Sequence, residues 1–397
     1  MPVNFPQLQK FIRQAGSRAR EQDKERSQKL ELSRQLLGQF NTEQSYLQGL
    51  VEDAAGTNKN LRCAIPGDEP LTTAIDPPPT AGNVTLLAAD GSQVNPSRHD
   101  AVLFGVVNVG VFRMRLGEAE PPREFTETQL LTGDELYKEG SDPVSLDYSD
   151  LTEEIIALRR DLNERHLLAE LAQSEDPPVL ALTDGPLELY RERQSSAEYQ
   201  KLFDQYLKVL HALKDLNAVV AGYVDRPRSD LIVRLLELAD LGRDRINEGG
   251  KTRPLGGVVD IQLFQEILKP GMRSGLFRIQ SPSSFTDELG LHFFYLNTGR
   301  DKHPALARVE IPAWVAGVHG MVDMLHAALL EQCRLMGSRP YPYALHRAHE
   351  IALVTYAEKG QIEEMIIGEY LRQGIPVAGR SNKQSAKDLP GRTPHLP

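Results

Sequence analysis

Two apolar runs in this chain each end on an aspartate followed at once by glycine: "TLLAADGSQV" at 85–94 brings Asp90, and "VLALTDGPLEL" at 179–189 brings Asp184. Asp-Gly alone is ordinary turn chemistry. Two such carboxylates at the ends of neighbouring strands would do something else. They would repel one another and resist joint ionisation unless a cation neutralised them. Hard divalent cations suit that role, because they take oxygen ligands and keep open positions for water and phosphate.

A third carboxylate is available from "SDLTEEIIALRRDLNERHLLAELAQ", residues 149–173, whose periodicity predicts a helix. Glu153, Glu154, Glu164 and Glu170 are the candidates. At 3.6 residues per turn Glu164 shares a strip with Arg160, Leu167, Leu168 and Leu171, whereas Glu170 falls with Arg159, Asn163 and His166. Glu164 thus interrupts an apolar face and needs a partner, either a cation or a salt bridge to Arg160. Further on, "RPYPYALHRAHEIALV" carries Tyr341, Tyr343, His346, His349 and Glu350. His349 borders an apolar face there, as either a core histidine or a ligand.

Several chemistries are not supported. A haloacid-dehalogenase phosphatase needs a second Asp two residues after the first, and Ser92 and Pro186 stand in those places. There is no His-Glu-x-x-His, no Walker glycine loop and no Gly-x-Ser-x-Gly. Cys63 and Cys333 are the only cysteines, so neither a disulfide framework nor a thiolate zinc site is indicated.

The elements that must position these residues follow from the pattern of the chain. Residues 5–56 read as helix, with "REQDKERSQK" as a solvated face. The Pro- and Gly-rich stretch 61–83 reads as a linker or loop. "NVTLLAAD", "AVLFGVVNVGVFRMRL" and "REFTETQLL" read as strands, the second as one long strand or a hairpin. Strands then alternate with helices, which predicts an α/β domain over 84–379 with a mixed sheet. The tail 380–397 lacks apolar periodicity and is expected to be disordered. A net charge of −10 argues against a uniformly basic nucleic-acid binder while allowing a local basic stripe. With no signal-peptide core and no apolar run of membrane-spanning length, the expected setting is cytoplasmic, with no membrane partner.

Taken in order, the Asp-Gly-Ser strand, the helix with its Glu, the Asp-Gly-Pro-Leu strand, "AGYVDRPRS", "RVEIPAW" and "YPYALHRAH" resemble the NurA nuclease family over roughly residues 85–378. The resemblance implies an RNase H-like fold with an N-terminal helical region, and Mn²⁺- or Mg²⁺-dependent cutting of DNA. It also implies a homodimer partnered by a HerA-like hexameric ATPase in DNA end resection. Carried across, the family's site falls on Asp90, Glu164, Asp184, Tyr341 and His349. Asp90 would bridge two metals about 3.5–4 Å apart, with Glu164 and Asp184 completing the two sides and His349 adding an imidazole. Tyr341 would orient a phosphate or water. Arg226 and Arg228, after "AGYV", would hold the DNA backbone. Two other classes stay open at this stage. One is a non-catalytic adaptor docked on an ATPase ring, and the other is a small-molecule metal phosphoesterase.

Overall fold

This computed structural model describes residues 3–97, 100–136, 150–189, 197–248, 252–282, 289–300 and 303–377. The tail 380–397, expected to be disordered, lies outside the described residues. Helices α1 (Phe5–Gln39) and α2 (Gln44–Thr57) come first, then strands β1 (Cys63–Pro66) and β2 (Ala74–Ile75). Next are β3 (Val84–Val94), β4 (Gly105–Leu116), β5 (Arg123–Leu131), α3 (Asp150–Ala172), β6 (Val179–Asp184) and α4 (Ala197–Asp215). β7 (Val219–Asp225), α5 (Leu231–Leu241), α6 (Asp260–Phe264), β8 (Arg273–Ser274) and β9 (Phe277–Gln280) follow. The described chain closes with β10 (Leu291–Asn297), β11 (Leu306–Pro312), α7 (Ala313–Ala316), α8 (His319–Leu335), α9 (Tyr343–Ala352) and α10 (Tyr356–Arg372).

The chain divides into two compact units, each made of separated segments. One holds Gly82–Asp184, Arg191–Val220 and Pro342–Pro397. In it β3, β4 and β5 form an antiparallel meander, and β6 returns after α3 to lie parallel to β3. This mixed sheet is the α/β arrangement that the alternation of strands and helices led us to expect. Within the run 101–116, Gly105–Leu116 is one strand rather than a hairpin, because β4 pairs residue for residue with β3 from Val106 to Leu116.

Helices cover both faces of this sheet, and two glycines show how. A Cβ on Gly91 of β3 would meet Arg160 and Glu164 of α3, whereas one on Gly110 of β4 would meet Ala348, Ile351 and Ala352 of α9. Gly91 stands opposite Val109, and Gly110 stands opposite Asp90. Side chains alternate between faces along a strand, and directly paired residues share a face. Therefore α3 covers the face of Gly91, and α9 covers the face of Gly110 and Asp90. At the far end of β3, Val94 packs with Val102, Phe104, Val106 and Ile366 of α10.

The other unit holds Met1–Ala81, Gly185–Tyr190 and Ala221–Tyr341. Here β1, β9, β10, β11 and β7 pair antiparallel in that order, with β2 on β8 and β8 on β10. The stretch 61–83, expected as linker or loop, thus supplies two short strands. Their pairing depends on β8 and β9, some 200 residues away, so no local pattern announces it. The expected helix over 5–56 breaks at 40–43. There the Asn41 side chain accepts hydrogen bonds from the Thr72 N–H and hydroxyl, both at 2.9 Å, which hold the loop against the segment before β2.

The core of this unit stacks Phe264 on Tyr295 and Phe277 on Phe293. Buried Asp260 anchors it. Its Oδ1 accepts from the N–H groups of Ile232 and Val233 at the start of α5, at 3.0 and 2.9 Å, and its Oδ2 from the Tyr295 hydroxyl at 2.7 Å. A cap for α5 is thereby supplied from 28 residues away rather than by its own first residue. The first half of α1 leaves Phe5, Leu8, Phe11 and Ile12 exposed. Among the described residues no helix is long and apolar enough to cross a membrane.

Candidate active site

Asp90 sits near the middle of β3 with its side chain largely buried. Its Oδ1 accepts from the N–H of Gly91 at 2.8 Å, and its Oδ2 lies 2.7 Å from Nδ1 of His349. A carboxylate has no proton to give in its ionised form, so the imidazole donates from Nδ1. With Nδ1 so engaged, Nε2 is the nitrogen that carries the lone pair in the neutral tautomer of the ring. The reach from α9 to β3 depends on Gly110. Its missing side chain lets α9 settle against the sheet, since a Cβ there would stand 2.6 Å from the N of Ala352 and 2.8 Å from the O of Ala348. Ser92 and Asn108 pin the end of the same helix by donating to the Ala352 carbonyl at 2.5 and 2.7 Å. Ser92 also accepts from the Val354 N–H at 3.2 Å.

Asp184 is placed by register. β3 and β6 run parallel with Ala89 beside Thr183, so one step further along both strands Asp90 and Asp184 stand at matching positions. Paired residues of parallel neighbours share a face, and adjacent strands lie about 4.8 Å apart. Asp184 therefore shares the face of Asp90, at the exposed end of β6.

Glu164 arrives from the opposite face. It is the only one of Glu153, Glu154, Glu164 and Glu170 that is buried. Its Oε1 would lie 2.8 Å from a Cβ on Gly91, so the carboxylate fills the gap that this glycine leaves next to Asp90. The partner expected from helix spacing, Arg160, is the more distant one, with Nε 3.5 Å from Oε1. Arg160 bonds chiefly to Asp161. The close partner is Arg165, whose Nη1 is 2.7 Å from Oε2. Burial pushes the Glu164 carboxyl up to about 8 against the pull of Arg165, and nearby Asp161 and Asp90 push it the same way.

Tyr341, Arg226 and Arg228 belong to the other unit. Tyr341 is half-buried and meets the ring of Tyr223 edge-on, with centroids 5.6 Å apart. Arg226 and Arg228 are exposed in the loop after β7, Arg226 with a left-handed backbone (φ +44°).

The sequence reading missed Arg165, Gly110, Ser92 and Asn108. One signal for Gly110 was present: a glycine inside the β-branched run "VVNVGVF" marks a close backbone approach. Arg165 gave none, because its neighbour Arg160 has the helix spacing that salt bridges prefer.

The model of the NurA domain matches residues 84–354. The chain belongs to the NurA family. That match covers more than half of its 397 residues. Among solved structures it is similar to the NurA nuclease from Sulfolobus solfataricus, at 14% identity and a TM-score of 0.47, over 73% of this chain and 85% of that one. Drosophila Piwi gives 10% identity and a TM-score of 0.29, over 67% and 29% of the two chains. LC9-RNase H1, a type 1 RNase H with the type 2 active-site motif, gives 15% and 0.21 over 46% and 79%. No curated protein matches.

The fit of a divalent cation to this NurA chain is a matter of donor chemistry. Asp90, Asp184, Glu164 and the Nε2 of His349 supply oxygen and imidazole donors of the kind Mn²⁺ takes. Among the described residues, however, no three of His, Cys, Asp and Glu form a group that holds a metal as they stand. Glu164 lies on the α3 face with one oxygen committed to Arg165, while Asp90 and His349 are paired with one another on the α9 face.

Proposed function

We propose that this NurA protein is a metal-dependent DNA nuclease that hydrolyses phosphodiester bonds, using Mn²⁺ or Mg²⁺, in partnership with a HerA-type hexameric ATPase during DNA end processing. The observation that carries the reading is the contact of Asp90 with His349, with Glu164 pressed against the adjacent Gly91, in a chain of this family. Asp90, Asp184 and Glu164 would hold the cation, and His349 would add its Nε2. The bound ion would supply Lewis-acid stabilisation of the phosphate and a more acidic attacking water.

The chain's own groups do the remaining work. Asp90 holds the His349 ring through Nδ1, which supports the reading that Nε2 is the nitrogen turned to other duties. His349 is 60% exposed at its side chain, so substrate can reach it. Tyr341 takes the role of orienting a phosphate or water, and Arg226 and Arg228 that of gripping the DNA backbone, as the family resemblance suggests. An acidic chain holds DNA poorly by itself, which favours a homodimer docked on the ATPase ring. The exposed apolar residues of α1 are the surface we assign to such contacts.

The test is a nuclease assay on end-labelled single- and double-stranded DNA with Mn²⁺, Mg²⁺ or EDTA. Cleavage that needs the metal and stops with EDTA supports the reading. No cleavage under any of these conditions, with the ATPase present, sinks it.

A further inference from the structure

We infer that Arg165 is a positioning residue for the site, dividing the labour between the two oxygens of Glu164. This inference rests on the metal-dependent nuclease reading. Arg165 is 2% exposed at its side chain, and its Nη1 takes Oε2 of Glu164 at 2.7 Å. The same nitrogen donates to the Asp161 carbonyl at 3.0 Å, one turn back on α3. Nη2 reaches the Thr183 hydroxyl at 3.5 Å, on the residue before Asp184. The guanidinium also lies over the ring of Tyr206 on α4, 5.6 Å from its centroid.

The planar fork therefore has a fixed seat on three elements: the α3 backbone, the end of β6 and the α4 ring. A lysine would offer one point of charge in its place. With Oε2 held, Oε1 is the oxygen directed at Gly91, beside Asp90, and Arg160 stands 3.5 Å from it. Arg160 is about a third exposed, with a nearer partner in Asp161, so it can yield that oxygen. Arg165 cannot move without breaking its seat. Oε2 is thus the anchor and Oε1 the oxygen offered to a cation, at a depth set by the link to β6.

The test measures Mn²⁺ affinity of the full chain by calorimetry, together with kcat and KM on duplex DNA, for Arg165→Met, Arg165→Lys and Arg160→Met. Arg165→Met should fold but bind Mn²⁺ roughly 10- to 100-fold more weakly, the usual effect of losing a group that orients a ligand. Its kcat should fall while KM for DNA changes less than about twofold. Arg165→Lys should recover part of the affinity, and Arg160→Met should lose less than Arg165→Met. If Arg165→Met does not fold, Arg165→Lys decides, and wild-type Mn²⁺ affinity in that folded variant overturns the inference. Wild-type affinity in a folded Arg165→Met overturns it equally, while leaving the nuclease reading intact. A wild-type chain that binds no Mn²⁺ and cuts no DNA removes that reading, and this inference with it.

Discussion

Nδ1 of His349 lies 2.7 Å from Oδ2 of Asp90, although 259 residues separate them in the chain. The contact exists because Gly110, directly opposite Asp90, has no side chain to keep α9 off the sheet.

Asp90→Ala removes both the proposed cation ligand and the partner of His349. Cleavage with Mn²⁺ should fall below detection, while the melting temperature stays close to that of the wild type, since a carboxylate of such a site repels its neighbours when no cation is bound. Activity retained in this variant would refute the site as placed.

Glu164→Gln should lose cleavage, and Glu170→Gln should stay near wild type, because only the first is buried beside Asp90. The same glutamate predicts a pH dependence. Burial holds its carboxyl up to about 8, so below that pH a cation must displace a proton. Mn²⁺ affinity should therefore rise with pH from 6 to about 8, by up to roughly tenfold per unit, and then level off. Calorimetry in two buffers of different ionisation enthalpy should detect the released proton. Glu164→Gln should abolish that slope.

Gly110→Ala tests the approach of α9 without touching a site side chain. A methyl group 2.6–2.8 Å from backbone atoms of α9 cannot be accommodated by a rotamer change. Overpacking of this kind costs about 1–3 kcal/mol, so urea denaturation should show a loss in that range. Cleavage should drop as well, because the shift pulls His349 from Asp90. A fully active and fully stable Gly110→Ala would contradict the close approach.

Asp260 governs stability in the other unit. Asp260→Ala strands two backbone N–H groups and leaves the Tyr295 hydroxyl only its 3.2 Å contact with the Ser229 hydroxyl, and should cost roughly 3 kcal/mol. Burial raises its carboxyl from 3.8 to about 6. The folded chain therefore holds this proton more tightly than the unfolded one. Its contribution is fully present below about pH 3.8 and is lost as pH rises through about 6. At about 1.36 kcal/mol per unit this amounts to at most roughly 3 kcal/mol. Asp260→Asn should show a flatter stability profile over pH 4–6 in chemical denaturation.

For partners, light scattering of the protein alone should give twice the mass of one chain. Mixing with the cognate hexameric ATPase should give a larger complex and ATP-dependent digestion of duplex ends. A strict monomer that digests duplex DNA equally well without any ATPase would remove the motor-coupled role and leave the metal chemistry standing.

The donor types and most of the longer elements are legible in the sequence, whereas β1, β2 and the break between α1 and α2 are not. A strand ending on Asp184 and a helix with Glu164 on its apolar strip follow from periods of two and 3.6 that a single segment carries, whereas the strand expected to end on Asp90 runs on to Val94 because its far half pairs with β4. Packing decides which of these meet and from which side. The register of β3 with β6 aligns Asp90 with Asp184, and two glycines admit α3 and α9 to opposite faces. Arg165 displaces Arg160 as the partner of Glu164, because its side chain is seated between α3, β6 and α4, a position no window along the helix reveals. Pairings of that kind depend on contacts between segments distant in the chain. Periodicity fixes which face a residue takes, and packing fixes what that face touches.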